Sequence, residues 1–405
     1  MKKILVVGGG ASGIMAALEA KDETNYVALY EKKDRIGKKL LSTGNGRCNF
    51  TNAFMGKDFY YCDNPDFVEE ILNEFGHNDL LKYFHSLGLL YKEKNGYFYP
   101  VSDQASSVLD CLRFNLKEKG IDIHTETEVT KIVSFSSGYK VFTGRGSTYF
   151  DKVIVSCGGM AGLSKNETAN GYNLLKELGH TQTKLYPSLT RLYCEGLNFK
   201  ALAGVESECR LSLLNNDSLK MEADGEVLFA DYGLSGIVTF QISHRAAELL
   251  DNGGRVTCRL DLLPGITSDE FVSFLNEKYL LHCEDTLEEF MAGIHNKKLC
   301  TEILKSMGLS LNSMVKNLDK TYLIKCFMKL KALEVKVLKA GDFLNSQVTG
   351  GGIKTSEVMT NLESKLCYGL FITGELLNVD GLCGGYNLQW AFSTGILAGR
   401  AARKE

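Results

Sequence analysis

One stretch limits this chain more than any other: Gly8-Gly9-Gly10-Ala11-Ser12-Gly13, set between an apolar run and a helix-forming segment. The preceding Lys3-Ile4-Leu5-Val6-Val7 is apolar and β-branched, the pattern of a strand covered on both faces. From Ala11 to Ala20, small and apolar residues recur at helical spacing, with Ile14, Ala17 and Leu18 among them. Tyr26-Val27-Ala28-Leu29-Tyr30 is a second apolar run and ends on Glu31. Strand, glycine turn, helix, strand and acid, in that order, predict a βαβ dinucleotide-binding unit. Gly8 lets the chain turn off the strand, Gly10 admits a pyrophosphate to the backbone, and Gly13 lets the helix lie close to the strand. Backbone N–H groups at the helix start, around Ala11, Ser12 and Gly13, then face the phosphates with the positive end of the helix dipole. Glu31 stands where a carboxylate accepts ribose hydroxyls and would repel a 2′-phosphate. A glycine turn in some other α/β protein, with Glu31 merely solvated, would need this whole context by coincidence.

With 405 residues, two or three domains are expected. The 46 basic and 49 acidic residues leave a net charge of −3, which argues against an electrostatic nucleic-acid partner. Twelve cysteines are scattered without a C-x-x-C pair, so neither a metal site nor a dithiol redox motif is expected. Met1-Lys2-Lys3 followed by apolar residues mimics a signal peptide, but the apolar part stops at Val7 and fits a strand better. No stretch approaches the length of a membrane span, so a cytoplasmic protein without a membrane partner is expected.

Lys32 to Asn52 is basic, glycine-rich and poor in apolar residues, a loop or broken helix directly after the ribose acid. Lys38, Lys39 and Arg47 are candidates to neutralise phosphates there. Helical spacing covers residues 65–90 and 105–119, an aromatic strand follows Gly96, strands cover 121–124 and 128–132, and a hairpin covers 139–150. Asp151 to Gly159 is a second buried strand ending in glycines, where Cys157 reads as a small strand-end residue rather than a nucleophile; a helix from Gly171 to Leu178 follows.

From Leu189 the character changes to short β-like runs at 189–194, 207–214, 226–229 and 256–260. Residues 267–330 are helical and lysine-rich, and Leu333 to Val337 alternates as a strand. The last segment offers a buried strand, Lys365 to Glu375, then Asp380-Gly381, Gly384-Gly385 and a helix from Gln389 through Ala398. An acid, a glycine turn and a helix start suit the far half of a long cofactor, with the acid on ribityl hydroxyls and the helix start at a flavin pyrimidine edge.

Gly8 to Gly13, Lys39 to Asn52, Asp231 to Gly236, Val348 to Gly352 and Gly374 to Trp390, taken in order, resemble the BaiN/RdsA family of NAD(P)/FAD-dependent oxidoreductases, also called aminoacetone-oxidase family FAD-binding enzymes. The runs Thr43 to Asn49 and Gly384 to Trp390 carry most of the specificity. The resemblance implies an α/β fold: a discontinuous Rossmann-like FAD-binding domain with an inserted β-barrel-like domain and a helical insertion. Its expected boundaries are 1–188 and 348–405 for the FAD-binding domain, 189–263 and 331–347 for the β-domain, and 264–330 for the helical insertion. It also implies cofactor contacts at Gly8, Gly10, Ala11, Ser12, Gly13, Glu31, Lys32, Lys38, Lys39, Asn45, Gly46, Arg47, Cys48, Asn49, Val129, Gly158, Gly374, Glu375, Asp380, Gly385, Asn387 and Leu388. Two departures are visible, Cys383 in place of a small polar residue and Ser156-Cys157 in place of Ala-Thr; both conserve size.

The activity implied is hydride transfer from NAD(P)H, a transient donor, through FAD to a small-molecule acceptor such as an enone. No second strand–glycine–helix unit follows Glu31, so the nicotinamide is expected to dock at the flavin itself. An amine oxidase using oxygen and a non-enzymatic, RNA-associated dinucleotide module are the rival readings. No catalytic residue is assigned: Tyr186, Tyr232 and Tyr386 are proton-donor candidates by position only, and each also reads as a packing tyrosine.

Overall fold

The computed structural model describes residues 1–163 and 169–404. The chain forms two compact units, Met1–Tyr186 with Val348–Glu405, and Pro187–Gln347.

The first unit is built on a five-stranded parallel sheet of β1 (Lys2–Val7), β2 (Asn25–Tyr30), β3 (Asp122–His124), β4 (Lys152–Val155) and β5 (Leu370–Ile372). Its order is β5-β4-β1-β2-β3, with the most apolar strand in the middle. Ile4, Leu5 and Val6 are fully buried, as a strand covered on both faces requires. Register fixes the functional edge. Val7 stands opposite both Tyr30 and Val155, and Val155 opposite Ile372. Four strands therefore end in one row, and the residues that follow them emerge together at the point where strand order reverses.

The helix after β1, Ala11–Ala20, is buried from Ser12 to Ala20 because the terminal helix, Tyr386–Arg403, lies against it. Glycines make that crossing close: a Cβ at Gly395 would sit 2.2 Å from the Ser12 carbonyl oxygen, and one at Gly399 2.5 Å from that of Ala16. Arg400 Nε donates to Glu19 Oε2 at 2.7 Å beside the same crossing. The terminal helix is longer than expected at both ends. The strand expected over 365–375 shrinks to β5, since Ser364 Oγ accepts N–H bonds from Leu366 and Cys367 and Glu363 accepts from Gly369, folding 363–369 into turns. The expected 139–150 hairpin gains a third strand, Val129–Phe135. A small sheet joins Thr51–Asn52 and Tyr91–Lys94 to the two sides of Tyr97–Pro100.

The second unit is a closed barrel ordered Leu192–Glu195, Gly233–Ser235, Ser218–Ala230, Val205–Asn215, Val256–Asp261, Leu333–Ala340. Alternation fills it: Leu333, Val335 and Val337 point inward while Glu334, Lys336 and Leu338 are exposed. Cys209 and Cys258 are buried in the same core with Leu211, Phe229 and Leu260. Burial pushes the Cys194 and Cys209 thiols up to about 12, so these cysteines act as small apolar residues. The helices Ser268–His282, Leu287–Phe290, Lys297–Ser306 and Lys320–Phe327 share that core through Phe271, Leu287, Leu299 and Phe327. Capping boxes at Thr267/Glu270 and Thr286/Glu289 start two of them. Among the described residues no helix is long and apolar enough to cross a membrane, and no group of three His, Cys, Asp or Glu could hold a metal ion.

A buried histidine, His180, and a half-buried one, His295, make stability depend on pH. His180 sits between Glu357 Oε2 at 3.1 Å and Ser364 Oγ at 2.9 Å; burial lowers its pKa more than the carboxylate raises it. His295 faces the Leu262 carbonyl at 3.2 Å and is also lowered, chiefly by burial. With folded-state values below the ordinary 6.5, both bind protons more readily when unfolded. Their contribution is full above that value and is lost as pH falls through the folded values. Thermal midpoints are expected to drop between about pH 7 and pH 5, and less so in His295→Gln; an unchanged slope in that variant would remove His295 from the account.

Candidate functional site

The glycine motif stands at the end of β1, and each glycine has a distinct surrounding. Gly8 turns with φ of +103°, and a Cβ there would lie 2.5 Å from the Ser156 carbonyl oxygen. A Cβ on Gly13 would lie 1.9 Å from the Gly8 carbonyl oxygen, so this residue sets the strand-to-helix distance. In front of Gly10 there is open space: a Cβ would meet nothing within 4 Å. Gly10 is the N-cap, and neither a side-chain cap nor an acidic residue serves the first turn of Ala11, Ser12 and Gly13. Those N–H groups are left for an anion. Glu31 directly follows β2, where its Oε2 accepts from the Gly9 N–H at 2.7 Å and its Oε1 from the Lys33 N–H at 2.8 Å. Two backbone donors fix the carboxylate while leaving lone pairs for hydroxyls.

Lys32 and Glu31 line, with Gly8, Val129, Cys157 and Asn170, a space of about 510 Å³, open in part to solvent, beside the ends of β1 and β2. Val129 is buried, and its carbonyl accepts from Asn170 Nδ2 at 2.8 Å. Asn170 and Thr127 line this space without having been expected; an isolated Asn opening a helix carries no motif signal. Gly158 turns with φ of +70° between β4 and Gly159. Burial pushes the Cys157 thiol up to about 12, which suits a packing role.

The basic loop divides its charges. Gly37 N–H donates to the Gly9 carbonyl at 2.8 Å, tying the loop to the motif. Lys38 turns outward to Asp34, 2.6 Å away, and so serves the loop's own helical turn. Lys39 pairs with Glu375 Oε2 at 2.8 Å. Arg47 lies over the Tyr99 ring at 5.4 Å from the guanidinium carbon to the centroid. The three cations expected to gather on phosphates therefore point to three different places. Gly44, Asn45, Gly46 and Cys48 all have positive φ, an unusually strained run in which Asn45 and Cys48 are not glycine. Cys48 is buried and its N–H reaches the Thr43 carbonyl at 3.1 Å, which holds the turn closed.

The far half is assembled from the C-terminal segment. Ser156 Oγ and Thr373 Oγ1, at the ends of β4 and β5, are 2.7 Å apart. Gly374 follows with φ of +65°, its N–H bonded to Thr394 Oγ1 and its carbonyl to Trp390 Nε1. Glu375 accepts the Thr349 N–H at 2.8 Å on the oxygen that Lys39 leaves free. Asp380 is buried on the strand Val379–Gly381, paired with Tyr60–Cys62. Asn387 closes a ring on that strand: its Oδ1 accepts the Gly381 N–H at 2.8 Å and its Nδ2 donates to the Gly381 carbonyl at 2.7 Å. What remains for a ligand there is main chain at Gly385, Asn387 and Leu388, where the terminal helix begins after Gly385 in the left-handed region. Asn49 Oδ1 is buried without a hydrogen-bond partner among the described residues, 2.9 Å from where a Gly385 Cβ would stand. An unmet acceptor at this turn fits an N–H of a flat heterocycle, and the open helix start at Gly10 fits a pyrophosphate. The residues present thus suit a long flavin dinucleotide.

Of the three tyrosines, Tyr386 is buried and stacks on Phe59 at 4.8 Å, and burial pushes its hydroxyl up to about 12. Tyr232 belongs to the second unit, under the Arg191 guanidinium at 4.8 Å. Tyr186 lies within 6.0 Å of Lys184 Nζ.

A family model described as the HI0933-like protein Rossmann domain matches residues 2–401. The chain is 38% identical to a 3-dehydro-bile acid delta(4,6)-reductase of Clostridium scindens, covering 99% of each. It is 26% identical to a ribosomal RNA dihydrouridine synthase of Escherichia coli, over 96% of this chain and 95% of that one. The structure of a 3-ketosteroid delta1-dehydrogenase from Sterolibacterium denitrificans, in complex with 1,4-androstadiene-3,17-dione, covers 100% of both chains with a TM-score of 0.52 at 12% identity, a likeness of fold alone.

Proposed function

The chain belongs to the HI0933-like Rossmann-domain family, and on that premise we propose that it is an FAD-dependent oxidoreductase that uses a reduced nicotinamide to saturate a carbon–carbon double bond of a small-molecule enone. The observation that carries this reading is the 38% identity, end to end, with a protein named as a reductase of such bonds. Bound FAD supplies the hydride chemistry that no side chain of the protein provides.

The residues supply the cofactor's seat. Gly8, Gly10 and Gly13 bring the chain close enough for the N–H groups of Ala11, Ser12 and Gly13 to hold the pyrophosphate. Glu31 takes the ribose hydroxyls, and Val129 and Gly158 bound the adenosine end. Glu375 and Asp380 are the acids nearest the ribityl end. The turn of Asn45, Gly46, Cys48 and Asn49 packs against Gly385, and together they would hold the ring end of the cofactor, with the helix start at Asn387 and Leu388 favouring negative charge there. The protein works in the cytosol, where twelve thiols stay free.

A second reading, an RNA base as the acceptor, draws on the 26% relative; the net charge of −3 weighs against it. One experiment separates them. The purified protein is expected to show flavin absorbance that NADH or NADPH bleaches without oxygen and a 3-oxo-Δ4 steroid restores. Restoration by uridine-containing RNA alone would favour the second reading. A colourless protein that does not take up FAD would end the flavoenzyme reading, and flavin bleached only by amines would make it an oxidase.

A further inference from the structure

The three-stranded sheet of Val129–Phe135, Gly138–Thr143 and Gly146–Phe150 ends on an edge that the protein leaves unguarded. Gly146–Phe150 pairs with Gly138–Thr143 on one side, and among the described residues no strand is paired to its other side. Gly146, Ser147, Thr148 and Tyr149 are exposed, while Phe150 is buried. A free edge offers a row of N–H and C=O groups to any extended chain, and proteins blunt such edges with charge, proline or bulges. Other edges of this unit are blunted in that way. Val129–Phe135, at the far side of the same sheet, carries Lys131 and a bulge between Val129 and Lys131. Tyr91–Lys94 carries Lys92, Glu93 and Lys94, and β3 exposes Asp122. Gly146–Phe150 has no charge, no proline and an unbroken register.

Its flanks show what fits. Arg145, exposed, precedes the strand, and Asp151, half-buried, follows it. Laid antiparallel to a second copy of itself, about a two-fold axis through Thr148, the strand sets Arg145 opposite Asp151 at both ends. Asp151 Oδ2 accepts the Lys3 N–H at 2.7 Å, which fixes the carboxylate and leaves Oδ1 for a guanidinium. In the same register the exposed Tyr149 ring has the small Ser147 as its cross-strand neighbour. Tyr149 is already held through its hydroxyl, 2.9 Å from Ser137 Oγ, so pairing costs it little rotamer freedom. An axis half a residue to either side would set Arg145 against Phe150 or Lys152, and the charges would lose their match.

We propose that Gly146–Phe150 is a self-association edge: two copies of this chain join it antiparallel about an axis at Thr148, extending the three-stranded sheet across both, with Arg145 and Asp151 paired twice. The inference does not depend on the oxidoreductase reading. A five-residue ladder is smaller than the roughly 1,000 Å² of a lasting interface, so the dimer forms with a Kd of about 10–100 μM and comes apart on dilution.

Sedimentation velocity on the full-length, FAD-loaded protein tests this over a concentration series that brackets that range. The mean sedimentation coefficient is expected to rise towards that of a dimer. Thr148→Lys sets two ammonium groups face to face on the axis and is expected to weaken the dimer about fivefold or more. Its thermal midpoint and flavin content should not change, because Thr148 is exposed. Arg145→Glu turns two attractions into two repulsions and is expected to cost about tenfold or more at low salt, and less as salt rises. Thr148→Cys is expected to cross-link to its own counterpart under mild copper–phenanthroline oxidation, beyond the level of the unaltered protein, and Lys131→Cys on the opposite edge is not. A monomer at every concentration, a dimer indifferent to Thr148→Lys and Arg145→Glu, or cross-linking through Lys131→Cys instead would overturn the proposal.

Discussion

Two alanines in one turn are expected to fail in opposite ways. In Gly13→Ala the new methyl would stand 1.9 Å from the Gly8 carbonyl oxygen and 3.2 Å from Ser156 Cβ. Neither neighbour can give, because Gly8 is backbone at the end of a fully buried strand and Ser156 is tied to Thr373. The helix must lift off the sheet, and with it the tight crossing at Gly395 and Gly399. A cost of about 3 kcal/mol or more is expected, read as a thermal midpoint lower by roughly 5 °C or more even without cofactor. Gly10→Ala is the reverse case. Its φ of −82° suits alanine, and the methyl enters open space. The cofactor-free protein should melt where the unaltered one does, or slightly higher, since alanine narrows the unfolded chain. FAD binding is the property that should collapse, by about 100-fold, because the methyl occupies the approach of the pyrophosphate to the helix start. Differential scanning with and without FAD reads both effects. FAD bound by Gly10→Ala with ordinary affinity would mean that the phosphates do not pass this residue.

That contrast also marks what a sequence can disclose. The spacing of glycines off a strand end is a local matter, and the first thirty-one residues are legible because each neighbour in space is also close in the chain. The same holds for the alternation of Leu333, Val335 and Val337. It fails where partners are remote. Lys39 looks like a phosphate ligand until the fold brings up Glu375, 336 residues away. The strand Gly233–Ser235 is too short to carry a period, yet it closes the barrel beside Leu192–Glu195, because closure is decided by register with its neighbours. The strand expected over 365–375 was apolar enough; what shortened it was the competition of the Ser364 and Glu363 side chains for its backbone N–H groups.

Asn387 is the residue for which this difference decides an experiment. Read from the sequence, an Asn at a helix start after two glycines is a ligand contact. In the fold its amide is committed: it accepts from the Gly381 N–H, and donates to the Gly381 and Leu382 carbonyls at 2.7 and 3.3 Å. These bonds clamp the turn of Gly384 and Gly385 between the Asp380 strand and the terminal helix, with Tyr60 OH on the Tyr386 carbonyl at 3.0 Å as a further tie. Asn387→Ala should leave the Gly381 groups unpaired at a cost of about 2–3 kcal/mol, lowering the thermal midpoint and FAD affinity together. Asn387→Asp should be worse, because it keeps the acceptor but sets a carboxylate against two carbonyl oxygens. The linkage of the two losses is the test. A thermal midpoint held at its usual value while only the flavin potential moves would place the side chain on the ring itself. A fall in both, with the potential of the remaining bound flavin unchanged, is the signature of a residue that acts by holding main chain in place.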